Sequence, residues 1–201
     1  MFHVKHPPRS GPPQDVEQRL RILVGLIERW SPRIQLVSPG DLPLVWQRHV
    51  RDSLQLTPLM PKDLTRAVDI GSGAGFPGLV LAIATNVPFD LIESDRRKAA
   101  FLREAAHHTA APVRIHAARA EVADAAPARL VTARALAPLD RLLGLAAPLL
   151  APNGACLFPK GRGAEAEVAE ARKTWHFHVE HHPSHTSPEG QILRITDLAH
   201  V

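Results

Sequence analysis

The fold of this chain is decided by the stretch Ala67-Val68-Asp69-Ile70-Gly71-Ser72-Gly73-Ala74-Gly75-Phe76-Pro77-Gly78. Three apolar residues around one acid predict a short buried strand, and glycines spaced two apart follow it. Glycine is favoured where a tight turn needs a positive φ, or where a ligand must touch bare backbone. Pro77 suits the first turn of a helix, because its missing N–H needs no partner there. The stretch therefore predicts a strand, a glycine loop and a helix, which open a nucleotide-cofactor fold with the ligand at the strand's carboxyl end.

The glycine loop leaves two cofactors open. Residues 73–78 match the dinucleotide fingerprint G-x-G-x-x-G. In that fingerprint, however, the first glycine follows the strand directly, whereas here Asp69-Ile70-Gly71-Ser72 intervenes. Counted from the strand, D-x-G-x-G-x-G resembles motif I of S-adenosylmethionine (SAM)-dependent methyltransferases. The next predicted strand ends in Glu93, 22 residues after Gly71, and an acid there can hold two ribose hydroxyls of either SAM or NAD.

The composition predicts a single globular domain. The chain has 201 residues, of which 45% are hydrophobic and 22% charged, and this suits one domain with a substantial core. No apolar run approaches the roughly 20 residues of a membrane span, and the N-terminus lacks the apolar core of a secretory signal. The single cysteine, Cys156, excludes an internal disulfide and fits a reducing compartment. We therefore expect a cytoplasmic protein without a membrane partner.

Hydrophobic periodicity predicts two helices followed by alternating strands and helices. An amphipathic helix begins at Gln14 and ends at Ser31-Pro32, and a second, with Asp41 as its N-cap, runs to about Leu56. These helices form a preface at 14–60 to a core at 61–201 of one domain, and the proline-rich residues 1–13 are expected to be flexible. In the core we predict strands at 67–70, 89–92, 113–116, 130–133, 155–158, 176–180 and 191–196, and helices at 79–84, 96–106, 138–150 and 164–172. This alternation predicts an α/β, Rossmann-like fold with a seven-stranded, mostly parallel sheet, helices on both faces and an antiparallel terminal pair.

Short motifs distributed along the chain make the function more specific. They are Trp30, Leu36-Val37-Ser38, Arg48-His49, Asp52-Ser53, 68–78, Lys98, Phe101-Leu102, Arg119-Ala120-Glu121, Thr132-Ala133-Arg134-Ala135 and Lys160-Gly161. In this order, from about Ile22 to Leu198, the chain resembles the bacterial 16S rRNA guanine-N7 methyltransferase family, RsmG, also known as glucose-inhibited division protein B. Two positions depart from the family pattern: Gln35, where relatives usually carry Asn, and Phe76, where many carry Leu.

The resemblance implies a class I SAM-dependent methyltransferase that modifies N7 of one guanine in 16S rRNA. It implies SAM contacts at Gly71, Phe76, Ala120, Glu121 and Arg134. The residues themselves add Gly73 of the loop and Glu93, which would bind the ribose or support the residues that do. Guanine N7 carries a lone pair and no proton at neutral pH, so the enzyme must align the reactants and exclude water rather than supply a base.

Arg134 is the candidate catalytic residue, because it ends the fourth strand, where such enzymes place the base to be methylated. It would hold the carboxylate of SAM or donate to guanine O6, a favoured arginine contact. The structural alternative is a buried ion pair with Glu121 or Asp69.

Basic side chains are expected to bind the RNA, since phosphate contacts come largely from lysine and arginine. The formal charge of +4 permits such a partner without demonstrating it. The candidates are Arg48, Arg51, Arg96, Arg97, Lys160 and Arg162, with Arg48 beside Asp52 on the second helix. The C-terminal histidines lack a cysteine or carboxylate at metal-ligand spacing, so no metal site is expected. The partner is then 16S rRNA or the small ribosomal subunit, and the protein a monomer.

Two other functions stay open on the residues alone. An NAD(P)-dependent oxidoreductase would use the formal dinucleotide fingerprint, although the chain contains no tyrosine for a Tyr-Lys pair. A non-catalytic RNA-binding domain would retain the fold without the chemistry, although the intact glycine loop and Glu93 favour an enzyme. Titration of the protein with SAM and with NADH separates the first two interpretations.

Overall fold

A computed structural model of the protein describes residues 14–201, and the flexible segment expected at 1–13 lies outside the described residues. The strands are β1 Ala67–Ile70, β2 Phe89–Ile92, β3 Val113–His116, β4 Ala128–Ala133, β5 Leu150–Lys160, β6 Trp175–Pro183 and β7 Gln191–His200. They form one seven-stranded sheet in the order β3-β2-β1-β4-β5-β7-β6. The first five strands run parallel, whereas β7 is antiparallel to both β5 and β6. The predicted sheet and its antiparallel terminal pair are confirmed.

Helices cover both faces of this sheet. The α-helices are α1 Gln14–Ile34, α2 Arg51–Leu54, α3 Gly78–Thr85, α4 Arg96–Thr109, α5 Leu139–Ala146 and α6 Ala164–Ala171. Because side chains alternate along a strand, Ala67 points to one face of the sheet and Val68 and Ile70 to the other. Ala67 belongs to the core shared with α1, α3 and α4, whereas Val68 and Ile70 pack with α5 and α6. The sheet therefore lies between two helical layers.

The first helix extends further than the sequence predicts. Ser31-Pro32 predicts a stop, but Pro32 lies inside the helix. A proline in the last turn removes one backbone hydrogen bond without ending the helix, and the Gln35 amide still donates to the Ser31 carbonyl (3.0 Å). The buried side of α1 joins the core on the α3 and α4 face through Val16, Leu20, Leu23, Leu26 and Ile27.

The second predicted helix, 41–56, is helical without a break from 42 to 54, but it is not a regular α-helix. It consists of a 3-10 turn at Leu42–Leu44, a π-helical turn at Trp46–Val50, the short α2, and a further 3-10 turn at Thr57–Leu59. Asp41 makes no capping hydrogen bond; its carboxylate accepts from the Ser38 hydroxyl (2.7 Å) and pairs with Arg48. Prolines in both 3-10 turns remove amide donors, and a π-helical turn is often found at a functional site.

Asn153-Gly154, a dipeptide typical of turns that precedes the predicted strand 155–158, lies inside β5. Asn153 has a φ of 57°, and the pairing of β4 with β5 changes register between Ala128 and Leu130. A side chain at position 154 would meet the Ala151 carbonyl oxygen at 2.8 Å. The residues therefore form an irregularity within a longer strand, where the glycine is needed for space.

Candidate active site

The glycine loop joins β1 to α3 at the carboxyl edge of the sheet. The Gly71 amide donates to the carbonyl of Ile92, the last residue of β2 (2.8 Å). Gly71, Gly73 and Gly75 have φ angles of 69°, 53° and 94°, which side-chain-bearing residues rarely adopt. A side chain at Gly71 would also meet Leu136 Cδ1 at 2.8 Å. The loop thus needs glycine at this position for its conformation, and a side chain there would also displace the tip of Leu136.

Glu93 holds the glycine loop through its backbone. Its Oε2 accepts from the Gly73 amide and its Oε1 from the Asp95 amide, each at 2.8 Å. Asp95 in turn caps α4, as the sequence predicts, by accepting from the amides of Arg97 and Lys98. Because both oxygens of the buried Glu93 carboxylate already accept backbone amides, these contacts favour a supporting role over direct ribose binding.

A cleft of about 210 Å³, here called the cofactor cleft, opens beside the loop at the ends of β1, β2 and β3. Three of the predicted cofactor residues lie in its wall: Gly71, Ala120 and Glu121. Sequence reasoning did not identify the other wall residues, which are Ile70, Ile92, Ser94, Ala118, Arg119, Leu136, Ala137, Arg141 and Leu145. Leu136 could have been found from the sequence, because it is an apolar residue just after a predicted strand. In the structure it is 42% exposed, and a ligand would cover it.

Asp69 in β1 is fully buried beneath the glycine loop. Its Oδ1 accepts from the Thr132 hydroxyl (2.6 Å), while its Oδ2 faces the backbone of Gly78 without a well-formed hydrogen bond. Burial raises the pKa of Asp69 to about 6, and the hydrogen bond from Thr132 partly opposes this rise. A side chain at Gly78 would lie 2.5 Å from Asp69 Cβ. The last glycine of the motif therefore allows α3 to pack directly on the acid of β1.

Arg134 follows β4 and lies where two further clefts meet. These clefts, of about 180 and 380 Å³, are here called the polar cleft and the outer cleft. The outer cleft shares Leu136 and Ala137 with the cofactor cleft. The Arg134 side chain is 18% exposed and pairs with Asp52 at 3.1 Å. The proposed structural alternative, an ion pair with Glu121 or Asp69, is therefore wrong, because Asp52 is the partner.

Phe76 lies between the loop and Arg134. Its ring stacks on His49 with centroids 5.0 Å apart, and the Arg134 guanidinium carbon lies 5.1 Å from the centroid of the Phe76 ring. A cation over an aromatic face is an attractive contact. Burial, with the charge of Arg134 next, lowers the pKa of His49 to about 4, so this histidine is neutral at physiological pH. Phe76 thus supports Arg134 from below and is not in the wall of the cofactor cleft.

The predicted RNA-binding residues have different surroundings. Arg48 pairs with Asp41 rather than with Asp52, which corrects the expectation from helical spacing. Lys160 is largely buried and donates to Glu167 (2.7 Å) and to the Ala137 carbonyl (2.9 Å). The exposed Arg162 pairs with Glu189. Arg51 is exposed and has no carboxylate partner within residues 14–201.

Three further features that the sequence raises are the cysteine, a metal site and a membrane span. Cys156 is buried in β5. In the described part of the chain, no three His, Cys, Asp or Glu side chains come together as metal ligands. No helix of residues 14–201 is long and apolar enough to cross a membrane.

Comparison with known sequences identifies the family. The sequence profile of the GidB family, described as rRNA small subunit methyltransferase G, matches residues 16–193. The chain belongs to this family. It is 52% identical to the ribosomal RNA small subunit methyltransferase G of Rhodospirillum centenum, over 94% of this chain and 88% of that protein. It is 47% identical to the protein of the same name from Granulibacter bethesdensis, over the full length of both chains.

Several solved structures with the same fold are methyltransferases. A TehB-like SAM-dependent methyltransferase from Corynebacterium glutamicum has a TM-score of 0.56 and 14% identity, over 73% of this chain and 86% of that one. The 16S rRNA methyltransferase RsmC of T. thermophilus, solved with AdoMet and guanosine, has a TM-score of 0.52 and 22% identity. The match covers 73% of this chain and 38% of that one. At these identities the comparison concerns the fold, and the predicted class I methyltransferase fold is confirmed. Membership of the methyltransferase G family decides against the oxidoreductase interpretation.

Proposed function

We propose that this chain transfers the methyl group of SAM to N7 of one guanine in 16S rRNA, and that it acts as a monomer in the cytoplasm. Membership of the methyltransferase G family supports the reaction class. One observation of the site carries the proposal furthest: the cofactor cleft and the outer cleft share Leu136 and Ala137. A methyl donor in the first cleft is therefore one chain segment away from a base in the second.

The residues of the cofactor cleft fit SAM. Gly71 has no side chain to displace Leu136 or to enter the cleft, and Ala120 and Glu121 also line the cleft. Glu121 is exposed, so its carboxylate is available to a ribose or an adenine amine. When bound, SAM supplies a methyl group on a positively charged sulfur. The chain holds this ligand through loop backbone and small side chains.

The proposed reaction needs no general base, and the groups around Arg134 are consistent with this. Guanine N7 carries an in-plane lone pair and no proton, so methylation at N7 releases no proton to the protein. Asp52, the carboxylate nearest to Arg134, already accepts a hydrogen bond from Arg134 (3.1 Å). The task of the protein is then to align the base with the methyl group and to exclude water. Arg134 contributes by donating from a fixed guanidinium to guanine O6 or to the cofactor carboxylate.

The first experiment tests reaction and substrate together. Purified protein, labelled SAM and small ribosomal subunits from a strain that lacks this gene should give label on 16S rRNA, and chemical cleavage at 7-methylguanine should map it to one base. Gly71→Val should abolish both labelling and SAM binding in calorimetry, because the added side chain fills the cleft. The matched control is Gly25→Ala on α1, where an added Cβ meets nothing within 4 Å, and it should retain both.

Other outcomes would contradict the proposal in distinguishable ways. Label on 23S rRNA, tRNA or protein, with none on 16S rRNA, would refute the substrate while leaving the reaction class. NADH binding without SAM binding would refute the cofactor.

A further inference from the structure

Asp52 occupies a position that the proposed reaction does not by itself explain. Its carboxylate is only 16% exposed and joins three parts of the chain that are distant in sequence. Oδ2 accepts from Arg134 Nη1 (3.1 Å), after β4. Oδ1 accepts from the Thr186 hydroxyl (2.6 Å), in the connection between β6 and β7, and from Gln55 Nε2 (2.8 Å), one turn further along its own helical segment.

Gln55 fixes the β6–β7 connection against the same helical segment. Its Oε1 accepts from the His185 amide (2.8 Å), and its Nε2 lies 3.2 Å from both Ser184 Oγ and Thr186 Oγ1. The connection is closed at its base by the Ser184 amide, which donates to the Gly190 carbonyl (2.9 Å). The hydroxyl that reaches Asp52 is therefore held by a hydrogen-bonded loop rather than by a free surface chain.

The guanidinium of Arg134 is fixed on two sides by this arrangement. Asp52 lies at one edge, and the Phe76 ring lies under its face at 5.1 Å. Within residues 14–201, every hydrogen bond of Arg134 uses Nη1, which also reaches the Arg48 carbonyl at 3.5 Å. Nε and Nη2 are left to donate to a ligand in the clefts that Arg134 lines. An arginine with five donors in a rigid plane can bind a carboxylate at one edge and a ligand oxygen at another.

We propose that Asp52 is a positioning residue, which together with Thr186 and Gln55 fixes the Arg134 guanidinium for the methyl-transfer step. This proposal rests on the proposed function for its kinetic consequence, but not for the positioning itself. Asp52 lies in the wall of the polar cleft but not of the cofactor cleft or the outer cleft, and its proposed effect on the reaction passes through Arg134. A misplacement of about 1 Å in such a group can cost about 100-fold in rate. The β6–β7 connection therefore contributes to the reaction without contacting the reacting atoms.

The positioning is tested without any assay of activity. Nitrogen NMR of the guanidinium should show two resolved Nη signals for Arg134, because rotation about its Cζ–Nε bond is hindered, and the signals are assigned by their loss in Arg134→Lys. In Asp52→Asn and in Thr186→Val the two signals should merge, whereas Thr186→Ser keeps the hydroxyl and should keep them resolved. Two resolved signals in both Asp52→Asn and Thr186→Val would overturn the proposal, whatever the activity of the wild type.

The kinetic consequence is tested by a double-mutant cycle on kcat/KM for the small subunit. Asp52→Asn should lose about tenfold or more, and adding it to Arg134→Lys should cost no more than Arg134→Lys alone, because both act through one group. The matched control, Glu170→Gln, breaks an exposed pair with Lys173 at the C-terminal end of α6 and should change nothing. Losses that multiply in the double variant, or a lower Tm with unchanged kcat/KM in the folded Asp52→Asn protein, would reduce the network to a structural contact. An inactive wild type would refute the proposed function, and the NMR result would still decide the positioning.

Discussion

Two residues beneath the site respond to pH in opposite directions. Asp69 is fully buried, and burial raises its pKa to about 6, while burial lowers the pKa of His49 to about 4. A raised carboxyl pKa means that the folded state holds its proton longer than the unfolded state, so Asp69 favours folding at low pH and the benefit is lost as pH rises from about 4 to 6. His49 behaves oppositely, because folding disfavours its protonation between pH 6.5 and 4. The two effects partly cancel in the wild type.

The variant Asp69→Asn should separate the pH effect of Asp69 on stability from that of His49. The variant cannot ionise, so its unfolding free energy should improve relative to the wild type by about 2 kcal/mol between pH 4 and pH 7. The difference between the two pH values is the relevant quantity, because any fixed packing change against Gly78 or Thr132 is the same at both. Urea unfolding at pH 4, 5, 6 and 7 measures it. The control Asp124→Asn, at an exposed carboxylate, should show the same dependence of unfolding free energy on pH as the wild type. If Asp69→Asn also shows the wild-type dependence, Asp69 is not a costly buried charge.

At the scale of elements, one arginine of α1 links this helix to the ends of α3 and α4, in addition to the apolar contacts of its buried side. Arg19 donates from Nε to the Thr109 carbonyl (2.6 Å), from Nη2 to the Ala110 carbonyl (2.9 Å) and from Nη1 to the Ile83 carbonyl (3.5 Å). These carbonyls end α4 and lie in the last turn of α3, where helices leave acceptors unsatisfied and a positive charge is favourable. The Arg19 side chain therefore satisfies carbonyl groups at the C-terminal ends of two helices and holds α1 against both.

Arg19→Ala should destabilise the protein by about 2 kcal/mol, since hydrogen bonds from a charged donor to partly buried acceptors are lost. Arg19→Lys should recover less than half, because one ammonium cannot reach three carbonyls in the geometry of a guanidinium. Thermal and urea unfolding give the values. The control is Arg29→Ala, at an exposed position of the same helix, which should stay within about 0.5 kcal/mol of the wild type. A similar loss of stability in both variants would show that the effect comes from replacing an arginine on this helix. It would then not come from the hydrogen bonds of Arg19 to the helix ends.

The elements that the sequence predicts correctly are those set by local pattern. β1, β2 and β3 are short apolar runs between turn signals, and their predicted bounds match the structure. In the segment at 41–59, the buried residues Val45, Val50 and Ser53 keep helical spacing. Periodicity does not predict the 3-10 turns, which contain prolines, or the π-helical turn between them. The Asp52–Arg134 pair joins residues 82 positions apart. Helical spacing suggested Arg48 as the partner of Asp52, and only the assembled sheet brings Arg134 there instead.

For the whole molecule, the distribution of paired and unpaired cations matters more than the formal charge of +4. Arg48 and Arg162 are each matched by a carboxylate, Asp41 and Glu189. Arg51 lies on the same helical segment as Asp52 and is exposed without such a partner in the described residues. A cation whose charge is already compensated adds less to the local potential than a free one. Equal numbers of arginines near a cleft can therefore bind phosphates very unequally.

This distinction is measurable in the salt dependence of RNA binding. Each phosphate neutralised contributes about 0.7 to 0.9 to the slope of log K against log salt. Arg51→Ala should therefore lower the slope for 16S rRNA by about that amount. Arg162→Ala should lower it by less than half as much, because Arg162 is already paired with Glu189 and neutralises less phosphate charge. Filter binding between 50 and 200 mM KCl, roughly the range over which such slopes are resolved, gives the values. Lys173→Ala, remote on the surface and paired with Glu170, serves as the control. An unchanged slope for Arg51→Ala would remove Arg51 from the interface, and equal effects of Arg51→Ala and Arg162→Ala would mean that the exposed Arg162–Glu189 pair opens when RNA binds.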